Sequence, residues 1–140
     1  MRVLFAPDKF AGTLTAVEAS AALMDGWRQA VPAAEVVARP MSDGGPGFLD
    51  AIAAATGANP FLVSTNGPHG AAQQAPVLVV DGDVRSAYLE ASSCCGLHLV
   101  AEPRRPLDAS CGGLAPLIEA AIAAGAERLV VGVGGTASTD

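Results

Sequence analysis

The stretch VLFAPDKFAGTLTAVE, residues 3–18, changes from a strand pattern to a helix pattern within a few positions. Residues 3–6 are a short apolar run bounded by proline, which is typical of a buried strand. Thr15 is followed three residues later by Glu18, the spacing of a capping box. Apolar residues then recur at spacings of three and four as far as Ala30, which predicts an amphipathic helix ending before the next proline.

The same alternation continues beyond this first helix. Residues 35–39 are a second predicted strand, and the loop PMSDGGPGF follows at 40–48. Its second proline suits the first turn of a helix that Gly57 would stop, and a third strand is predicted at 61–64. Because strands alternate with helices, we expect residues 1–65 to form the first part of an α/β lobe with a parallel, Rossmann-like sheet. Ligands of such sheets bind at the carboxyl ends of the strands.

From residue 66 the pattern changes to one of turns and paired strands. The apolar runs 75–80 and 84–89 flank Asp-Gly-Asp at 81–83, which predicts a β-hairpin. Antiparallel pairing does not continue the pattern of the first lobe. We therefore expect residues 66–140 to be the first part of an inserted second lobe.

The rest of this second lobe is predicted as strand, helix and strand. A short strand is expected at 97–100, a helix at 114–122 with Gly125 as its stop, and a strand at 128–133. The last strand leads into GVGGTASTD with no helix after it. We therefore expect the chain to be a truncated part of a longer protein.

Composition excludes several functional classes. Of the 140 residues, 51% are hydrophobic and 16% charged, which argues against disorder. The formal net charge of −6 argues against non-specific binding to nucleic acid or to anionic membranes. No uncharged apolar run is long enough to span a membrane. The spacing of Cys94, Cys95 and Cys111 suits neither zinc nor a disulfide framework, so we expect buried thiols in a reducing cytoplasm.

Two glycine-rich turns follow strands of the first lobe and carry charged side chains. Asp8 and Lys9 lie between a strand and a helix start, where an ammonium group and backbone amides would suit an anion. Asp43 precedes Gly44 and Gly45, which would let a backbone approach a ligand closely. Asp43 is suited to hold Mg²⁺ or to accept a proton from a substrate hydroxyl. The alternative in both places is a solvated turn that caps the following helix.

A third glycine-rich turn, GVGGTASTD, follows the last predicted strand. Its amides and hydroxyl groups, including those of Gly134, Gly135 and Thr136, are typical of an anion-binding nest. The turn matches neither G-x-x-x-x-G-K-[ST] nor a full G-x-G-x-x-G, so a plain turn remains the alternative.

Further charged residues stand at other predicted loops. Arg104 and Arg105 are the densest basic pair of the chain and are suited to clamp a carboxylate or phosphate. The alternative is that they lie in a solvated loop without a ligand. Glu90 ends a strand and is either an active-site carboxylate or an exposed strand end.

Taken together, these motifs resemble the bacterial type I glycerate kinase family. The resemblance covers essentially the whole chain, and its specificity comes from the order of six motifs. In sequence they are APDKFAGTLTA at 6–16, PMSDGGPGF at 40–48, NGPHG at 66–70, LEASSCCGLHLV at 89–100, RRPLDAS at 104–110 and GVGGTASTD at 132–140.

The resemblance implies a kinase with its active site in a cleft between two lobes. The implied reaction transfers the γ-phosphoryl group of ATP to a hydroxyl of D-glycerate, which is mostly a matter of positioning and charge stabilisation. Asp43 is the first choice for the proton acceptor, with Asp140 or Glu90 next. Lys9 and Mg²⁺ would neutralise the transferring charge, and the arginine pair would bind the substrate carboxylate. The expected contacts of phosphate and substrate are Asp8, Gly44, Gly45, Arg104, Arg105, Ser110, Gly134, Gly135 and Thr136.

Two other classes remain open. One is a non-catalytic module that binds a nucleotide or another anion, and the other is a structural α/β module whose loops are only turns. The resemblance implies small-molecule partners, namely glycerate and ATP, and is compatible with a homo-oligomer. Because half of the cleft would be missing, we expect the 140 residues alone to be inactive.

Overall fold

The protein, described here from a computed structural model, is ordered into strands and helices along residues 1–140. The elements in chain order are β1 Arg2–Phe5, α1 Ala16–Ala30, β2 Glu35–Ala38, α2 Phe48–Thr56, β3 Phe61–Asn66, β4 Ala72–Val80, β5 Ser86–Glu90, α3 Ser92–Cys95, a 3₁₀ helix Leu97–Leu99, α4 Leu114–Ala123 and β6 Arg128–Gly132. This mixture confirms the predicted α/β class.

Strands β1 and β2 form a parallel pair with α1 packed beside them. Helix α1 begins as predicted, because the Thr15 side chain accepts the backbone N–H of Glu18 at 3.1 Å. The Glu18 carboxylate in turn accepts the N–H of Thr15 at 2.8 Å, which completes the capping box. The loop between β1 and α1 is thereby fixed at its far end.

The second sheet has four strands in the order β3–β4–β5–β6. The first three are antiparallel neighbours, and β6 runs parallel to β5. The predicted hairpin around residues 81–83 is confirmed by the pairing of β4 with β5. The expectation that the third strand continues the first parallel sheet is wrong, because β3 pairs antiparallel with β4 from Phe61 to Asn66. An apolar strand pattern indicates burial but does not determine which strand pairs with it or in which direction.

Two local predictions also differ from the structure. The strand expected at 97–100 is instead the 3₁₀ helix Leu97–Leu99, which follows the short helix α3. Pro46 lies before α2 rather than in its first turn, because the helix begins at Phe48 after a left-handed Gly47. Both errors fall where glycine or proline directs a tight turn.

The main hydrophobic core lies between the second sheet and helices α3 and α4. Val77 and Leu89 of the sheet and Leu117 of α4 are fully buried there, together with Cys94 and Cys95 of α3. This core supports the carboxyl ends of β5 and β6, where the glycine-rich turn after residue 132 begins. No helix combines the length and the apolar character needed to cross a bilayer.

Candidate functional site

Lys9 and Asp43 meet although they come from different loops. The Lys9 ammonium donates a hydrogen bond of 2.8 Å to Asp43 Oδ1 and lies 3.9 Å from Asp8 Oδ1. Lys9 follows β1 and Asp43 follows β2, so the two residues meet because parallel neighbours present their carboxyl ends at one edge. Three of the predicted site residues therefore form one charged cluster.

This cluster holds both groups in their charged forms. The hydrogen bond that Lys9 donates to Asp43 raises the pKa of Lys9; burial opposes the rise, while the charges of Asp43, Asp8 and Glu90 add to it. The hydrogen bond from Lys9 lowers the pKa of Asp43, and the N–H of Gly45 lowers it further. Because solvent reaches and screens the pair, it contributes little to stability. Its significance is chemical, because it places an ammonium group and a carboxylate at one point.

The second and third glycine-rich turns touch through their backbones. The N–H of Gly134 donates to the carbonyl of Gly44 at 3.0 Å. A Cβ on Gly134 would lie 2.7 Å from the nitrogen of Gly45, and one on Gly132 would lie 2.6 Å from the carbonyl oxygen of Gly44. Glycine is therefore required here by space. The contact joins the turn after β2 to the turn after β6, as the site hypothesis requires.

Glu90 is buried beside this contact, with 8% of the residue exposed. Its Oε2 accepts the backbone N–H of Gly47 at 3.0 Å and that of Leu49 at 3.4 Å. Its Oε1 accepts the hydroxyl of Ser92 at 2.7 Å. Glu90 is therefore not an exposed strand end, and both of its oxygens are engaged by the protein.

A cavity of about 310 Å³ opens next to the Lys9–Asp43 cluster. The loop between β1 and α1 forms one wall, and the turn after β2 and the start of α2 form the other. Its polar lining side chains are Asp8, Lys9, Thr13, Thr15, Glu18, Ser42 and Asp50. The lining carries three carboxylates and one ammonium group, so its net charge is negative, and its hydroxyls suit a ligand with several hydroxyl groups.

The donor set fits a magnesium ion only if a ligand completes the coordination. No group of three or more His, Cys, Asp or Glu side chains is arranged to hold a metal. Asp43 makes its hydrogen bonds to Lys9 and Gly45 through Oδ1, so Oδ2 remains for a cation. Mg²⁺ in phosphoryl-transfer sites takes one or two carboxylates together with substrate phosphates, and Asp43 with Asp8 meets that minimum.

Arg104 and Arg105 lie away from the Lys9 cavity. They line a separate cavity of about 250 Å³ together with Thr136 and Ser138. Arg104 pairs with Glu102 at 2.9 Å, and the Arg105 Nε donates to Asp108 at 2.6 Å. The structure thus brings the arginines to the third glycine-rich turn rather than to Lys9 and Asp43.

Asp140 and Ser110 also lie apart from the Lys9–Asp43 cluster. Both carboxylate oxygens of Asp140 accept the N–H of Cys111, at 2.9 and 3.1 Å. This bond and the hydroxyls of Ser110 and Ser138 lower the pKa of Asp140 to about 2. Ser110 uses its hydroxyl to accept the N–H of Gly112. Both side chains organise the turn that precedes α4.

Some features of the site were missed in the sequence. Glu18 and Asp50 line the Lys9 cavity from the first turns of α1 and α2, a position that strand–loop–helix order alone would have indicated. The Sγ atoms of Cys95 and Cys111 lie 3.3 Å apart, which no spacing rule predicts. Burial and the neighbouring thiols raise the pKa of Cys95, so it is an unreactive core thiol.

Comparison with known proteins assigns the family. The chain belongs to the glycerate kinase family, whose model matches residues 3–140. It is similar to the glycerate kinase of Bacillus subtilis, at 38% identity over 141 residues, and to an uncharacterized protein of Mycobacterium tuberculosis, at 43% over 143 residues. All of this chain, but only 37% of each relative, is covered.

A solved structure agrees with this assignment. A candidate glycerate kinase 2 from Salmonella typhimurium LT2 superposes with a TM-score of 0.84 at 35% sequence identity. The match covers all of this chain and 37% of that chain. The chain therefore has the fold of a part of that protein, and it spans about 37% of the length of the relatives it matches.

Proposed function

We propose that this chain forms part of the active site of an ATP-dependent kinase that phosphorylates a hydroxyl of D-glycerate. The observation that carries the proposal is the meeting of Lys9 and Asp43, at 2.8 Å, beside a turn whose backbone touches the third glycine-rich turn. A carboxylate, an ammonium group and backbone amides are the parts that phosphoryl transfer requires. Membership of the glycerate kinase family supports the choice of acceptor.

Asp43 is the proposed acceptor of the hydroxyl proton. Its pKa is lowered, so it is ionised at neutral pH and free to receive a hydrogen bond from the substrate. A lowered pKa makes it a weak base, which suits a loose transition state in which the proton leaves late. With Asp43 Oδ2 taken by the substrate hydroxyl, Mg²⁺ would be held by Asp8 and the nucleotide phosphates and would neutralise charge on the transferring group.

Lys9 and the glycine-rich turns are the proposed phosphate contacts. The Lys9 ammonium stays protonated because its pKa is raised, so it can stabilise negative charge across the physiological range. The N–H groups of Gly44, Gly45 and Gly134 are already bonded within the protein, so the proposed phosphate contacts of the turns are Gly135 and Thr136. Arg104 and Arg105 line the cavity that also contains Thr136, so we assign them to a substrate carboxylate or phosphate bound there.

The experiment is a coupled ADP assay with D-glycerate, ATP and Mg²⁺ in a polypeptide of the relatives' full length. Asp43→Asn should lower turnover about 100-fold or more, because the proton acceptor is lost. Asp83→Asn is the matched control, since Asp83 is exposed in the hairpin turn and has no ion pair. Wild-type turnover in Asp43→Asn removes Asp43 from this role.

The same assay separates the proposed kinase from a binding module. Calorimetry that shows ATP binding, with no ADP formed in the presence of D-glycerate, would replace the kinase by a non-catalytic nucleotide-binding module. We propose further that residues 1–140 alone are inactive, because the near-attack geometry requires groups on both sides of the cleft. Turnover by the 140-residue chain would contradict this.

A further inference from the structure

Glu90 connects the second sheet to the turn that carries Asp43. It is the last residue of β5 and pairs in register with Gly132 of β6. From this position its side chain reaches the start of α2, where Oε2 accepts the N–H groups of Gly47 and Leu49. The carboxylate therefore lies between two elements that share no strand pairing.

Helix α2 has no cap of its own. Its N-cap residue is Gly47, in a left-handed conformation with φ of 93°, and no side chain of the helix or its N-cap makes a capping hydrogen bond. The first N–H groups of a helix need an acceptor, and a carboxylate there is favoured by the helix dipole as well. Glu90 supplies that acceptor from a residue 43 positions further along the chain.

A short series of hydrogen bonds leads from Glu90 to Lys9. Glu90 holds Gly47, the N–H of Phe48 donates to the carbonyl of Gly45, and the N–H of Gly45 donates to Asp43 Oδ1. Asp43 Oδ1 is also the atom that accepts the Lys9 ammonium. Moving the start of α2 therefore moves the oxygen that faces Lys9.

The hydroxyl of Ser92 fixes the other carboxylate oxygen. Ser92 is fully buried, and its hydrogen bond to Glu90 Oε1 is 2.7 Å long. Glu90 is not among the residues that line the Lys9 cavity. Because both of its oxygens are engaged by the protein, the carboxylate is arranged to hold backbone rather than to exchange protons with a ligand.

We propose that Glu90 is a positioning residue, which caps α2 from the end of β5 and so sets the orientation of Asp43 toward Lys9. Its effect on turnover rests on the function proposed above, whereas its hold on the start of α2 does not. The experiment therefore measures the two separately.

The test compares Glu90→Ala, Glu90→Gln and the control Glu119→Ala in the full-length polypeptide. Glu119 is an exposed carboxylate on α4 and pairs with no cation. Hydrogen exchange of the Gly47 and Leu49 amides is measured without substrate, followed by kcat and KM. In Glu90→Ala these amides should exchange about tenfold faster, because they lose their acceptor, and Glu119→Ala should leave them unchanged.

Turnover should fall most in Glu90→Ala and less in Glu90→Gln. Glu90→Ala should lower kcat about 100-fold, as a displaced catalytic group does. Glu90→Gln should lose about tenfold or less, because its amide oxygen still accepts both N–H groups through weaker, neutral hydrogen bonds. KM should change less than kcat in both variants. This partial rescue by glutamine is the signature of positioning.

Three results would overturn the inference. Unchanged exchange at Gly47 and Leu49 in Glu90→Ala would show that the carboxylate does not hold α2. Faster exchange with wild-type kcat would reduce Glu90 to a structural role. Equal inactivity of the Gln and Ala variants would make Glu90 a direct participant in proton transfer. If the wild-type protein shows no kinase activity, the kinase proposal fails, and the exchange data still test whether Glu90 caps α2. If Glu90→Ala does not fold, exchange in Glu90→Gln tests the same point.

Discussion

Replacing Gly134 by alanine tests the backbone contact on which the site depends. The added Cβ would lie 2.7 Å from the nitrogen and 2.8 Å from the Cα of Gly45. Both are main-chain atoms, so no side chain can rotate away. Gly134 does not have a positive φ, and alanine is therefore allowed by its backbone conformation. The substitution changes only the space between the two turns.

The expected loss of stability combines two effects. Forcing a methyl group into a packed contact costs about 1–3 kcal/mol. Separating the turns also breaks the hydrogen bond of 3.0 Å from Gly134 to Gly44, which contributes about 1 kcal/mol. The free energy of unfolding of Gly134→Ala should therefore fall by roughly 2–4 kcal/mol.

Urea denaturation of the 140-residue chain measures this change, with Gly26→Ala as the matched control. Gly26 lies inside α1, and a Cβ added there would have no neighbouring atom within 4 Å. The same substitution should therefore stabilise the protein there, by about 0.5–1 kcal/mol. A free energy of unfolding within about 0.5 kcal/mol of wild type in Gly134→Ala would refute the close approach of the two turns.

Two further predictions concern the turn before α4. Because the pKa of Asp140 in the folded protein is lowered from 3.8 to about 2, its carboxylate stabilises the fold above about pH 4, and this contribution is lost as the pH falls toward 2. Asp140→Asn should flatten the pH dependence of urea unfolding in that window, and an unchanged slope would contradict the bond to Cys111. N-ethylmaleimide should label the partly exposed Cys111 before Cys94 and Cys95, because burial raises the pKa values of those two thiols. Mass spectrometry measures the labelling of each cysteine. Equal rates at all three would show that Cys94 and Cys95 are accessible to the reagent.

The parts of the fold that depend on local chemistry were predictable from the sequence. Thr15 and Glu18 define the start of α1 because a capping box is complete within four residues. The Asp-Gly-Asp turn at 81–83 defines the hairpin because its signal also lies within a few neighbouring residues. Lys9 and Asp43 were expected together because each follows a strand of a predicted parallel pair.

The parts that depend on distant partners were not predictable. The apolar pattern of β3 is satisfied equally by a parallel or an antiparallel neighbour, so its pairing with β4 could not be read from it. Glu90 was expected to be an active-site carboxylate or an exposed strand end, because nothing near it in the chain reveals that α2 lacks a cap. Arg104 and Arg105 find acidic partners within their own loop, which a search for basic pairs overlooks.

The contact between the turns after β2 and β6 also constrains the order in which the polypeptide matures on the ribosome. The backbone of Gly44 and Gly45 is held by Gly134, and that of Gly47 by Glu90. A nascent chain that has emerged only as far as β4 contains Lys9 and Asp43 and their mutual hydrogen bond, but neither Glu90 nor Gly134. The bonds from Glu90 and Gly134 to this turn can therefore form only after at least 134 residues have been translated.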